Sequence, residues 1–300
     1  MNNYRGRAYI FTLITVLIWA VAGPTIKYTL RGFDPEVFLA YRFTISAAVV
    51  VFFMITTGKI KLPKNPRILL WSLLYAFLSS TVSLGLLFIG IDKTNAVDAI
   101  LIGAAGPLFT TMAGMLFLHE HITKREKVGI AVAFVGTIIT IIEPTLRNHN
   151  GSTGLTGNIL VFSAVILGVL TAVMAKVLMR EKLSPISATN LTFLVGFITM
   201  IPIVLYLKPL DTIVSEISKV PFKYHLGVFY MAIASGNIAY YLWHRAEKSI
   251  EIGEVGIFSY LSPIIAAPLA VIWLKESITF PFIIGALVIA SGVIIAEYKK

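Results

Sequence analysis

Cysteine is absent from all 300 residues, which excludes disulfides, thiol nucleophiles and Cys-ligated metal centres. Charge is scarce: Asp, Glu, Lys and Arg make up 13% of the chain, about half the share of a soluble domain. No G-x-x-x-x-G-K-[ST] loop is present, so the chain carries no nucleotide-driven motor of that type. His119 and His121 are two residues apart and do not share a helix face, and no other His, Asp or Glu spacing suggests a metal. Ile233-Ala234-Ser235-Gly236 approaches the nucleophile motif of an intramembrane serine protease but lacks its first glycine. The histidine nearest to it, His244, falls nine residues on, about 13 Å along a helix and on its opposite side. No cofactor is implied. Acids are missing from the middle of every apolar run, so the buried carboxylate that many proton-coupled carriers use as a relay has no candidate. His244 is left as the one histidine able to relay.

What the chain has instead is apolar sequence: 57% of it is hydrophobic. Runs of about 18 or more such residues are the mark of membrane-spanning helices. The runs lie near 8–29, 36–57, 68–90, 97–118, 127–143, 156–179, 185–207, 224–245, 252–274 and 279–297. The expected fold is therefore all-α and integral to the membrane, with about ten transmembrane helices and no room for a sizeable soluble domain. Arg5, Arg7 and Ala20-Val21-Ala22 have the outline of a cleaved leader, but the apolar run continues through Tyr28, so an uncleaved first span is expected. The net charge of +10 sits mostly between the runs, which points to a lipid bilayer as partner and not to nucleic acid. With the N-terminus cytoplasmic, the inside segments hold 15 of the 25 Lys and Arg and the outside segments 7. Both termini are thus expected on the cytoplasmic side of the cell membrane.

A shift of 156 residues lays the chain on itself. Ser79 falls on Ser235, Pro107 on Pro263, Glu120 on Glu276, Ile122-Thr123 on Ile278-Thr279, Gly129 on Gly285 and Gly136 on Gly292. Earlier helices match more weakly, with Lys27 near Lys176 and Asp34-Pro35 near Ser184-Pro185. The polar stretch Arg147–Gly154 divides two units, 1–146 and 147–300. Five spans per unit is odd, so the second copy enters the membrane upside down. Two inverted five-helix repeats form a plan that many secondary transporters share.

The residues also carry a resemblance. Trp19 through Lys27, Asp34-Pro35 and Tyr41-Arg42-Phe43 resemble the opening of EamA-type members of the drug/metabolite transporter superfamily. The series Pro107, Glu120, Ile122-Thr123, Gly129 and Gly136, repeated 156 residues later, is similar to the close of each EamA repeat. The resemblance covers essentially the whole chain, though the first two helices of the second unit follow the pattern poorly. It implies ten helices, a central cavity between the repeats and alternating access, hence a transporter and not an enzyme. It does not fix the substrate, for which a small polar or aromatic metabolite such as an exported amino acid is the expectation. A non-transporting scaffold or receptor-like protein and a membrane-embedded enzyme are the competing classes, and a homodimer is compatible with all three.

Polar groups in mid-span nominate a site, because hydrocarbon cannot satisfy them. Ser79 and Ser83 belong to one cluster, Ser235-Gly236-Asn237 to the other, and the repeat superposes them. On an ideal α-helix Tyr230, Asn237, Tyr241 and His244 share a face. These groups either line a cavity or tie helices together. Pro107 and Pro263, with Pro24, each remove a backbone hydrogen bond within a span and either line the site or hinge it. Lys27 and Arg42 either snorkel or meet a substrate carboxylate. Trp19, in mid-span, could stack on a planar substrate, whereas Trp71, Trp243 and Trp273 read as interface belt. Asp98 and Glu254 open their spans, where acids suit the helix dipole, and Glu120 and Glu276 read as loop anchors.

Overall fold

The computed structural model describes residues 3–57, 63–119, 123–146, 151–252, 255, 258–259, 261–276 and 278–297. Among these residues there are helices and no strands. Six helices are long and apolar enough to cross a membrane: α1 (Asn3–Thr29), α2 (Pro35–Thr57), α3 (Pro66–Lys93), α4 (Ala96–Leu118), α6 (Gly151–Arg180) and α7 (Pro185–Leu207). Shorter apolar stretches lie in α5 (Lys124–Leu146), α10 (Leu261–Leu274) and α11 (Phe280–Glu297). The segments Phe222–Phe229, Tyr230–Ile238 and Ala239–Ser249 run on as α9. Sequence sets the starts: Pro35, Pro66 and Pro185 occupy first-turn positions where a missing N–H costs nothing. Ser184 caps α7 by accepting from the Ser187 amide at 3.1 Å. α4 ends at His119 with φ 57°, and Lys275, 156 residues on, follows α10 with φ 58°.

Three features depart from the sequence reading. The stretch after Lys208, which lies between two of the apolar runs, forms the amphipathic helix α8 (Leu210–Lys219), with Ile213 buried and Asp211 and Thr212 exposed. Its Glu216 joins Asp34 and Glu36 around the Lys208 ammonium. Burial opposes that charge, but the three acids outweigh it and hold the Lys208 pKa above its usual value. The second departure is that α3 and α9 are not uniform: Leu78–Ser83 and Tyr230–Ile238 are π-helical, with wider turns. Third, the polar linker is shorter than expected, since α6 begins at Gly151; Arg147–Asn150 lie outside the described residues, as do Glu120, His121, Glu254 and Tyr260.

In lipid, burying apolar surface between helices gains little, so close packing decides which helices pair. Glycines mark the contacts. A Cβ on Gly136 would lie 3.0 Å from the Gly285 carbonyl oxygen, and one on Gly292 only 2.6 Å from that of Gly129. α5 and α11 therefore run antiparallel with their backbones touching. Gly90 and Gly157 bring α3 and α6 together in the same way. Phe38, Phe43, Phe88 and Phe193 fill the core between α2, α3 and α7. The outside is as apolar as the inside: Phe52, Ile55, Leu70, Ile198, Ile272 and Leu287 are largely exposed. A surface with this much exposed hydrocarbon suits lipid and not water.

Candidate functional site

α1, α2, α3, α4, α9 and α10 surround a central cavity of about 370 Å³, within the usual range for a small-molecule site. Its walls include Trp19, Arg42, Ser83, Phe88, Ser235 and Tyr240. A second cavity of about 270 Å³ adjoins it, shares Trp19, Ser83 and Tyr240, and adds Ser79, Pro107 and His244. The Trp19 indole spans the two. Its Nε1 donates to the Ser235 carbonyl at 3.0 Å, and its rings meet Tyr240 edge-on at 5.4 Å and Trp243 at 5.0 Å. α4 is interrupted at Ala105, where Pro107 has no N–H for the carbonyl four residues back, that of Gly103. Gly103 lies on both cavities.

Of the residues singled out from sequence, the structure gathers Trp19, Ser79, Ser83, Pro107 and Arg42 on these walls. It places four others elsewhere. The Tyr230 hydroxyl donates to the Ile18 carbonyl at 2.5 Å, and Asn237 Nδ2 donates to the Ser46 carbonyl at 3.3 Å, so both face neighbouring helices. The Tyr241 hydroxyl accepts from Arg245 at 2.9 Å. Lys27 Nζ donates to the Ile91 and Asp92 carbonyls at 2.8 and 2.9 Å and ends on α3. The Pro263 side chain lies outside the described residues, but its neighbour Ser262 lines the central cavity.

The π-helical segment explains why the expected α9 face fails. The cavity residues on α9 are Met231, Ser235, Tyr240, Trp243, His244 and Glu247. The step of five between Ser235 and Tyr240 is a π turn, and every side chain after it is carried about 100° round from its α position. The ideal face through Asn237 and Tyr241 is thereby turned off the cavity. Sequence reading also missed Glu247. It is 1% exposed, with one carboxylate oxygen accepting from Trp243 Nε1 at 2.7 Å and the other 3.1 Å from His244 Nδ1. His244 Nε2 lies 3.0 Å from the Tyr75 hydroxyl. A buried acid is therefore present at the end of α9, and the His244 ring is joined to Tyr75 and Glu247 and not to Ser235. The only signal in sequence was the i, i+3 spacing of His244 and Glu247.

Apolar helices and an apolar exterior around a central cavity define a multi-pass membrane protein. The sequence pattern of the EamA-like transporter family matches residues 6–142 and again 155–298. The chain belongs to this family of membrane transporters. Relatives include "Uncharacterized transporter YyaM" of Bacillus subtilis, 24% identical over 90% of this chain and 87% of that protein. Others are proteins named "Probable amino-acid metabolite efflux pump". That of Salmonella typhimurium is 25% identical over 94% of this chain and 92% of its own length; that of Escherichia coli is 25% identical over 95% and 93%. A solved crystal structure shares the fold with a TM-score of 0.66 at 16% identity, covering 97% of both chains.

Proposed function

We propose that this transporter is a secondary carrier that exports a small polar or aromatic metabolite, such as an amino acid, by alternating access. In this reading the chain crosses the cell membrane ten times as two inverted five-helix units, 1–146 and 147–300, with both termini cytoplasmic. The observation that carries it is the make-up of the cavity walls, because equivalent segments of the two units contribute in pairs. Ser79 and Ser235, and likewise Gly103 and Ser259, lie 156 residues apart on those walls. The two π-helical segments, Leu78–Ser83 and Tyr230–Ile238, overlap under the same shift. Transporters with this symmetry bind substrate where the repeats meet. The relatives named as efflux pumps support export and an amino-acid-like substrate.

Reconstitution tests it. Liposomes containing the purified chain should accumulate or release a labelled amino acid faster than empty ones, with saturation and with competition by unlabelled substrate. Absence of saturable flux across a panel of amino acids and related metabolites would overturn the reading in favour of a scaffold.

A further inference from the structure

Among the described residues, other charged groups near the two cavities are accounted for. Lys27 and Lys176 end on backbone carbonyls, Glu247 is held by Trp243 and His244, and Asp34 and Glu36 belong to the Lys208 cluster. Arg42 is not. It is 1% exposed, its Nε and Nη1 have no hydrogen-bond partner, and it lines the central cavity. Its guanidinium carbon lies 5.6 Å from the Phe88 ring centre and 5.8 Å from that of Phe43. Aromatic faces offset part of a buried cation's lost hydration but accept no N–H in the guanidinium plane. Among the described residues, no Asp or Glu lines this cavity. It is thus a mainly apolar chamber with one fixed positive charge and unmet donors.

We infer that the central cavity recognises a carboxylate, and that Arg42 binds it while Trp19, Leu87 and Phe88 enclose an apolar body. The inference rests on the transporter reading and deepens it by naming the substrate class. A planar guanidinium matches a carboxylate with two parallel hydrogen bonds, a fit that an amide or a lone hydroxyl does not reproduce. Among the described residues the chamber holds no acid to receive an ammonium group. A carboxylate with no amine is therefore accepted, whereas an amine with no carboxylate is not.

Calorimetric titration of the full detergent-solubilised chain decides it with four probes: L-phenylalanine, 3-phenylpropionate, L-phenylalaninamide and phenethylamine. Both carboxylates should bind, and the amide and amine should bind at least about tenfold more weakly, the discrimination that a hydrogen bond to a charged group carries. Arg42→Gln should erase the preference and Arg42→Lys should keep part of it. If L-phenylalanine binds and 3-phenylpropionate does not, the carboxylate is not sufficient and the inference fails. It fails too if phenethylamine binds as well as the carboxylates, if neither carboxylate binds, or if a folded Arg42→Gln keeps the wild-type preference. Should Arg42→Gln not fold, the four probes on the wild type and on Arg42→Lys still decide. Liposome flux of another substrate alongside any of these failures would leave the transport reading standing.

Discussion

Lys27 and Lys176 carry ammonium groups into apolar helices, and each ends on the carbonyls that terminate another helix. Lys27 reaches Ile91 and Asp92 at the end of α3, and Lys176 reaches Glu247 and Ile250 at the end of α9. Ile91 and Glu247 are 156 residues apart, so the same device closes equivalent helices. A helix leaves its last carbonyls without partners, and a cation there satisfies them and meets the negative end of the dipole. That use of lysine explains why neither ammonium lines a cavity. Glu247 is the residue whose removal should be felt most. Glu247→Ala strands the Trp243 N–H and one His244 nitrogen in a buried site, and a buried donor left unmet costs about 1–3 kcal/mol. Thermal unfolding of the variant in detergent should shift down accordingly. An unchanged midpoint would mean that the cluster contributes nothing to folding.

At the scale of the helix, two substitutions separate packing from motion. Gly292→Ala places a methyl 2.6 Å from the Ala133 amide nitrogen, a backbone atom that cannot swing aside. The α5–α11 pair must part, which should destabilise the chain by about 1–3 kcal/mol, the usual cost of overpacking. Parallel unfolding curves for Gly292→Ala and wild type would show otherwise. Pro107→Ala should act on rate: it restores an N–H where α4 is interrupted and stiffens a helix expected to flex. Initial liposome flux per inserted protein should fall while insertion and stability hold, and wild-type flux would reduce Pro107 to a packing residue. The extent of the long helices was legible in sequence because apolar runs and first-turn prolines mark it directly. Trp19, Ser79, Ser83, Pro107 and Arg42 were legible because polar or helix-breaking groups are conspicuous in a span. Asn237 and Tyr241 were misplaced because the face was drawn at 3.6 residues per turn, and no residue type announces a π turn; Tyr230, ahead of that turn, is held by the Ile18 carbonyl. Glu247 escaped because it lies just past the apolar run, where composition reads as loop.

At the scale of the molecule, contacts between loops bear on orientation. Arg31 in the turn after α1 donates to the Leu274 carbonyl at the end of α10. Asp34, three residues on, meets Lys208 between α7 and α8, and its amide donates to Glu216 on α8. The Glu276 carboxylate caps the start of α4, accepting from the Ala96 and Val97 amides at 2.9 Å each. The turns after α1, α3, α7 and α10 therefore share one face of the molecule, and locating one locates them all. In the proposed orientation, which follows the excess of Lys and Arg in the alternate segments, that shared face is outside. An inverted five-plus-five arrangement places Asn150 on the same face. In this cysteine-free chain, single cysteines at Thr212 and at Asn150 should each react with an impermeant thiol reagent applied to intact cells, and one at Lys64 only after lysis. Reaction of Thr212→Cys and Asn150→Cys from opposite sides would rule out the inverted repeat. Reaction of both only after lysis would keep the repeat and reverse its orientation in the membrane.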